Sequence, residues 1–130
     1  MNAVMHEVGI IESALDVIRR EAAKNSAAHV ERVVMRIGAI SGVEPDALRF
    51  AFEACSPGTV AAGAELEIQL VPARAHCAAC AEEFVIASGY LFECPRCSAF
   101  SGDVRSGREL ELARLIFTTT SPTPRHVHQP

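Results

Sequence analysis

Two Cys-x-x-Cys turns, Cys77-Ala78-Ala79-Cys80 and Cys94-Pro95-Arg96-Cys97, constrain this chain more than any other feature. Each turn offers two sulfurs to one ion, and two turns complete the tetrahedral set that zinc requires. Thirteen residues separate Cys80 from Cys94, room for a short hairpin whose strands are expected to include Phe84-Val85-Ile86 and Tyr90-Leu91-Phe92 around Gly89. A rubredoxin-type iron centre would use the same four sulfurs, since S₄ sites accept either metal. Four thiolates close the coordination shell and leave no position for a reacting water, so a structural role is expected over a catalytic one. A module of about 35 residues is too small to build a sufficient core, and metal binding supplies its folding energy.

The competing reading of such cysteines is disulfides or redox thiols. The start, Met1-Asn2-Ala3-Val4-Met5-His6-Glu7, lacks a basic segment followed by an apolar run, and no stretch approaches the roughly 20 apolar residues of a membrane helix. A cytoplasmic protein is therefore expected, and in that compartment paired Cys-x-x-Cys motifs bind metal more often than they form disulfides. Cys55, the fifth cysteine, reads as a small apolar residue on a helix face. His76, beside Cys77, reads as an exposed neighbour of a filled site.

Around the cysteines lies an α+β pattern. Val8, Ile11, Leu15, Ile18 and Ala22 recur at three- and four-residue steps and predict a helix over 7–24. Val30–Ile37 is β-branched and predicts a strand. Pro45 suits the first turn of a second helix with Leu48, Phe52 and Cys55 on its apolar face. Ala64, Leu66, Ile68 and Leu70 alternate with Glu65, Glu67 and Gln69, which predicts a strand with one face buried and helices on one side of the sheet. Glu109–Phe117 predicts a last strand with Leu110, Leu112 and Ile116 on one face, rejoining the first sheet. The organisation read from this is an α/β domain over 5–72 and 108–117, a zinc ribbon over 73–107, and a disordered tail over 118–130.

The formal charge of −4 argues against nucleic-acid binding driven by phosphate neutralisation. Within 73–107 three arginines meet four carboxylates, and base-stacking aromatics are sparse. There is no phosphate loop, no Gly-x-Ser-x-Gly elbow and no His-Glu-x-x-His. No enzyme is expected.

His6 and Glu7 sit where the first helix is expected to begin, and the first four N–H groups of a helix have no internal acceptor. An imidazole with free backbone nitrogens forms a nitrogen-rich setting that suits Ni(II) or Cu(II); a plain surface histidine is the bland alternative. Met5-His6-Glu7, the run Arg36–Phe50, both cysteine turns and Gly107-Arg108-Glu109-Leu110 resemble the HypA family of nickel metallochaperones for [NiFe]-hydrogenase maturation. The resemblance runs from about Met5 to Phe117. It implies two helices packed on a three-stranded sheet with an inserted zinc-ribbon module. It also implies structural Zn(II) on Cys77, Cys80, Cys94 and Cys97, and transient Ni(II) at His6 and Glu7 with Glu44 nearby. The partners implied are the GTPase HypB and the hydrogenase large subunit, with self-association in some members; neither nucleic acid nor membrane is among them. In the family the Met of Met-His-Glu is normally the first residue, so a start at Met5 is expected to restore the pattern. The pair His126-x-His128 reads as part of an unstructured tail. The alternative function is a zinc-ribbon protein-interaction module that carries no nickel.

Overall fold

The structure is a computed structural model that describes residues 3–87, 91–119 and 126–128. Helix α1 spans Ala3–Lys24, strand β1 Ala27–Gly38, helix α2 Pro45–Cys55 and strand β2 Glu65–Val71. Strands β3 (Arg74–Cys77), β4 (Glu82–Val85) and β5 (Val104–Ser106) follow, then β6 (Leu110–Thr119) and β7 (His126–His128). Pro45 opens α2 at the position where its missing N–H costs nothing, and the side chain of Glu44 caps that end by accepting from the Asp46 N–H.

The larger sheet has the order β2-β1-β6-β7. β1 pairs parallel with β2 through the α2 crossover and antiparallel with β6. The last strand therefore rejoins the first, and β3 to β5 form a separate three-stranded sheet in order β4-β3-β5. The expected three-stranded sheet gains a short fourth member, β7, on β6 at Leu115–Phe117. Strand structure thus occupies 118–119 and 126–128 of the stretch read as a disordered tail; its remainder lies outside the described residues.

Both helices pack on one face of this sheet. Ile11, Ile18, Ala22, Leu48, Ala51 and Phe52 meet Val30, Val33, Met35, Ile37, Leu115 and Phe117 in one buried cluster. Cys55 packs against that cluster from α2, as an apolar residue would. The opposite face carries charge: Arg32 reaches Glu65 at 2.8 Å and Glu67 at 3.0 Å, and Arg36 reaches Glu111 at 3.6 Å.

Three departures from the sequence pattern have identifiable causes. The β1–β6 register slips between Val34↔Arg114 and Met35↔Leu112, so Ala113 is an extra residue in β6. An extra residue inverts the side-chain alternation beyond it. Leu115 and Phe117, not Ile116, therefore join Leu112 on the core face. The second departure is in α1, which begins at Ala3 instead of Glu7. The third is in the smaller sheet. There Phe84 pairs with Ala75 of β3, and the expected pairing around Gly89 is seen among the described residues as the antiparallel bridge of Ala87 to Leu91. Ser88–Tyr90 lie outside the described residues. Ala73, Ala75 and Cys77 offer a buried alternating face for Phe84 and Ile86, which gives β4 a partner in β3 that cysteine spacing did not show.

The two sheets meet at a close backbone crossing. A Cβ on Gly38 would stand 2.0 Å from the carbonyl oxygen of Gly107, and one on Gly107 (φ +112) would stand 2.5 Å from the Ala73 Cα. Both positions require glycine. Ile40, whose N–H donates to the Gly107 carbonyl at 2.8 Å, packs against the apolar cluster of the smaller sheet.

Candidate metal centres

The end of β3 delivers Cys77, and the turn into β4 delivers Cys80. The second turn, at 94–97, is held by the Ser98 N–H donating to the Cys94 carbonyl at 2.8 Å and the Cys94 N–H donating to the Ala99 carbonyl at 2.9 Å. All four sulfurs lie within 4.8 Å of one another. Cys77 and Cys97 are 3.6 Å apart and Cys80 and Cys94 3.9 Å. Four sulfurs at about 2.3 Å from a tetrahedral zinc would be about 3.8 Å from one another, whereas a disulfide requires about 2.0 Å. The set is therefore a cage for a structural metal such as zinc.

The surroundings suit that charge. Backbone N–H groups of Arg96 and Cys97 point at the Cys94 sulfur and hold its pKa down to about 6. As free thiols the set is uneven, because hydrogen bonding with Cys97 and burial push Cys80 up to about 12. A bound dication takes the place of that most tightly held proton. Arg96 lies against Cys80, which raises the guanidinium's own pKa, and its Nη1 pairs with Glu82 at 2.8 Å. Sequence reasoning missed this residue, although its place inside the second turn marked it as a neighbour of four thiolates. It also missed the left-handed residues that end each turn, Ala81 (φ 55) and Ser98 (φ 62). His76 stands outside the four-sulfur set; its N–H donates to the Asp103 carbonyl at 2.9 Å within the smaller sheet.

At the other end of the chain His6 and Glu7 follow one another on α1. His6 is exposed, and the Glu7 carboxyl is fully buried. Oε2 of Glu7 accepts the Glu44 N–H at 2.8 Å. Oε1 is buried and accepts no hydrogen bond among the described residues; it lies 3.8 Å from Nδ1 of His6. A buried carboxylate oxygen without a donor is costly unless a cation or proton meets it. The loop before α2 brings Glu44 to this place by its backbone, while its side chain caps α2. Because α1 begins at Ala3, the N–H of Glu7 lies one turn inside the helix, where the carbonyl four residues back takes it. The free backbone nitrogens expected at Glu7 are thus consumed by the longer helix, and the side chains of His6 and Glu7 remain as donors. His126 and His128 place their backbone on the edge of β6.

Residues 5–117 match the family described as hydrogenase/urease nickel incorporation, metallochaperone, hypA. The hydrogenase maturation factor HypA of Picosynechococcus sp. is 43% identical over 111 residues, 85% of this chain and 97% of that protein. Its counterpart in Geobacter metallireducens is 40% identical over the same shares. Among solved structures, one described as the solution structure of HypA protein is 27% identical, covers 88% of this chain and 97% of its own, and superposes with a TM-score of 0.63. The Ni metallochaperone HypA from Helicobacter pylori, 24% identical with a TM-score of 0.59 over 87% of this chain and 97% of its own, shares the fold. With a match across 113 residues and relatives of 40% and 43% identity over nearly their whole length, the chain belongs to the HypA family.

Proposed function

We propose that this protein binds Ni(II) at the amino-terminal turn of α1 and delivers it for the maturation of [NiFe] hydrogenase. The observation that carries this reading is the buried Glu7 carboxyl, one oxygen held by the Glu44 N–H and the other undonated 3.8 Å from an exposed imidazole. Imidazole nitrogen and carboxylate oxygen suit a divalent nickel ion, and a site at the surface end of a helix releases its ion without unfolding the core. Glu44 acts through its backbone, fixing Glu7. Unwinding the first turn of α1 would add backbone nitrogens to the ligand set. The four-cysteine ribbon supplies structure, GTP hydrolysis comes from the partner HypB, and the hydrogenase large subunit receives the metal.

Metal analysis with nickel titration of the wild type and His6→Ala tests the reading. We expect His6→Ala to lose nickel binding and keep one zinc and its fold; unchanged nickel affinity would sink it. One observation favours the second reading, a protein-interaction ribbon. Leu91 is 59% and Phe100 76% exposed on the ribbon, apolar surface of the kind that a partner covers. A ribbon that binds a partner while His6→Ala leaves nickel affinity untouched would favour it.

A further inference from the structure

Beside His6 an open apolar groove of about 520 Å³ runs between α1 and β6, lined by Gly9, Ile10, Val17, Leu110 and Leu112 among others. Its floor is empty at Gly9, where a Cβ would meet nothing within 4 Å. Leu110 shows 44% of its surface there although it lies on the core face of the sheet, in register with the buried Ile37.

The groove borders a sheet edge that is only partly used. Among the described residues, the outer edge of β6 is paired over Leu115–Phe117, by β7, and over Leu110–Arg114 it has no strand beside it. A strand edge with no described strand beside it, next to apolar space, is the arrangement that accepts an extended peptide, main chain on the edge and alternate side chains in the groove. The dimensions agree. From His6 to Val17, α1 advances about 17 Å, the length of a strand of roughly five residues. β7 shows that this same edge takes an antiparallel strand.

We propose that an extended segment of the nickel-accepting protein, with apolar residues at alternate positions, adds to β6 at 110–114 in line with β7 and fills the α1 groove. This rests on the delivery function above, and it deepens that function: docking there lays the acceptor's chain beside His6, so the metal moves over a short path out of reach of competing ligands.

The test uses the full chain and the nickel-free precursor of the hydrogenase large subunit. Gly9→Leu fills the groove, Leu110→Lys removes an exposed apolar contact, and Gly9→Ala adds a methyl group to empty space as a control. We expect each of the first two to weaken precursor binding at least tenfold while Gly9→Ala binds as the wild type, all three keeping their zinc and melting no lower than the wild type. Precursor should also slow hydrogen exchange at the amides of 110–114. Wild-type binding by Gly9→Leu and Leu110→Lys, protection confined to the ribbon, or no binding of the precursor would each overturn the proposal. Nickel titration of the same variants separates the two ideas. A wild type that binds nickel but fails these tests loses the docking site alone, and one that docks through the groove without binding nickel loses the carrier function alone.

Discussion

The two sheets of this protein are held together by different forces. The larger one is sealed by two helices over a contiguous core in which Ile11, Ile18, Leu48, Leu115 and Phe117 are all fully buried. Among the described residues the apolar cluster of the smaller one has six buried members, and two of these are the metal-ligand candidates Cys77 and Cys94. The larger region has an apolar core of its own; the smaller has a four-sulfur metal cage where such a core would be.

Metal removal should break this contrast most sharply. Structural zinc contributes on the order of 10 kcal/mol in small modules, so a strong chelator should abolish amide protection in β3, β4 and β5 and leave β1 protected. Hydrogen exchange reads both at once, and a ribbon that stays protected without zinc would end the comparison. A core truncation should produce the opposite pattern. Leu48→Ala removes a fully buried side chain and should cost about 2–5 kcal/mol in urea unfolding while zinc stoichiometry stays at one. Loss of zinc in parallel with the core would show that the two regions unfold together. The smallest effect concerns the cysteine turns. Ala81 and Ser98 hold φ of 55 and 62, a region that costs a residue with a Cβ about 1–2 kcal/mol. Ala81→Gly relieves that and loosens the unfolded chain by somewhat less, so a net gain of about 0.5 kcal/mol should show as slower zinc release to a chelator. Faster release would mean that the turn is not strained.

The same contrast decides what the sequence revealed. Cysteine spacing is set by coordination geometry, so four residues identified their own neighbours without any knowledge of the rest. Pro45 and the alternation of Glu65–Leu70 were equally local. What escaped was set at a distance. Ile116 looked inward until the extra residue at Ala113 turned it out, and a bulge depends on the partner strand. Leu70 alternates correctly yet is 64% exposed, at an open pocket that it shares with Val43, Glu44 and Pro45. At the proposed nickel site, His6 and Glu7 were legible through resemblance. The burial of Glu7 and its bond to the Glu44 N–H were not, since they join residues 37 positions apart.

The crossing at Gly38 has a consequence for how such a protein is built. β1 lies between the strands where the ribbon departs and returns: the Ala39 N–H bonds the Val71 carbonyl and the Gly38 N–H bonds the Glu109 carbonyl. The two ends of the excursion are thus pinned on either side of one central strand, about two strand spacings or roughly 10 Å apart. Closing a longer or shorter excursion between fixed ends changes the entropy only slowly with length. To the parent fold the ribbon is an accessory plugged into a fixed socket, free to vary in size and surface as long as the glycines at its base let the two backbones touch.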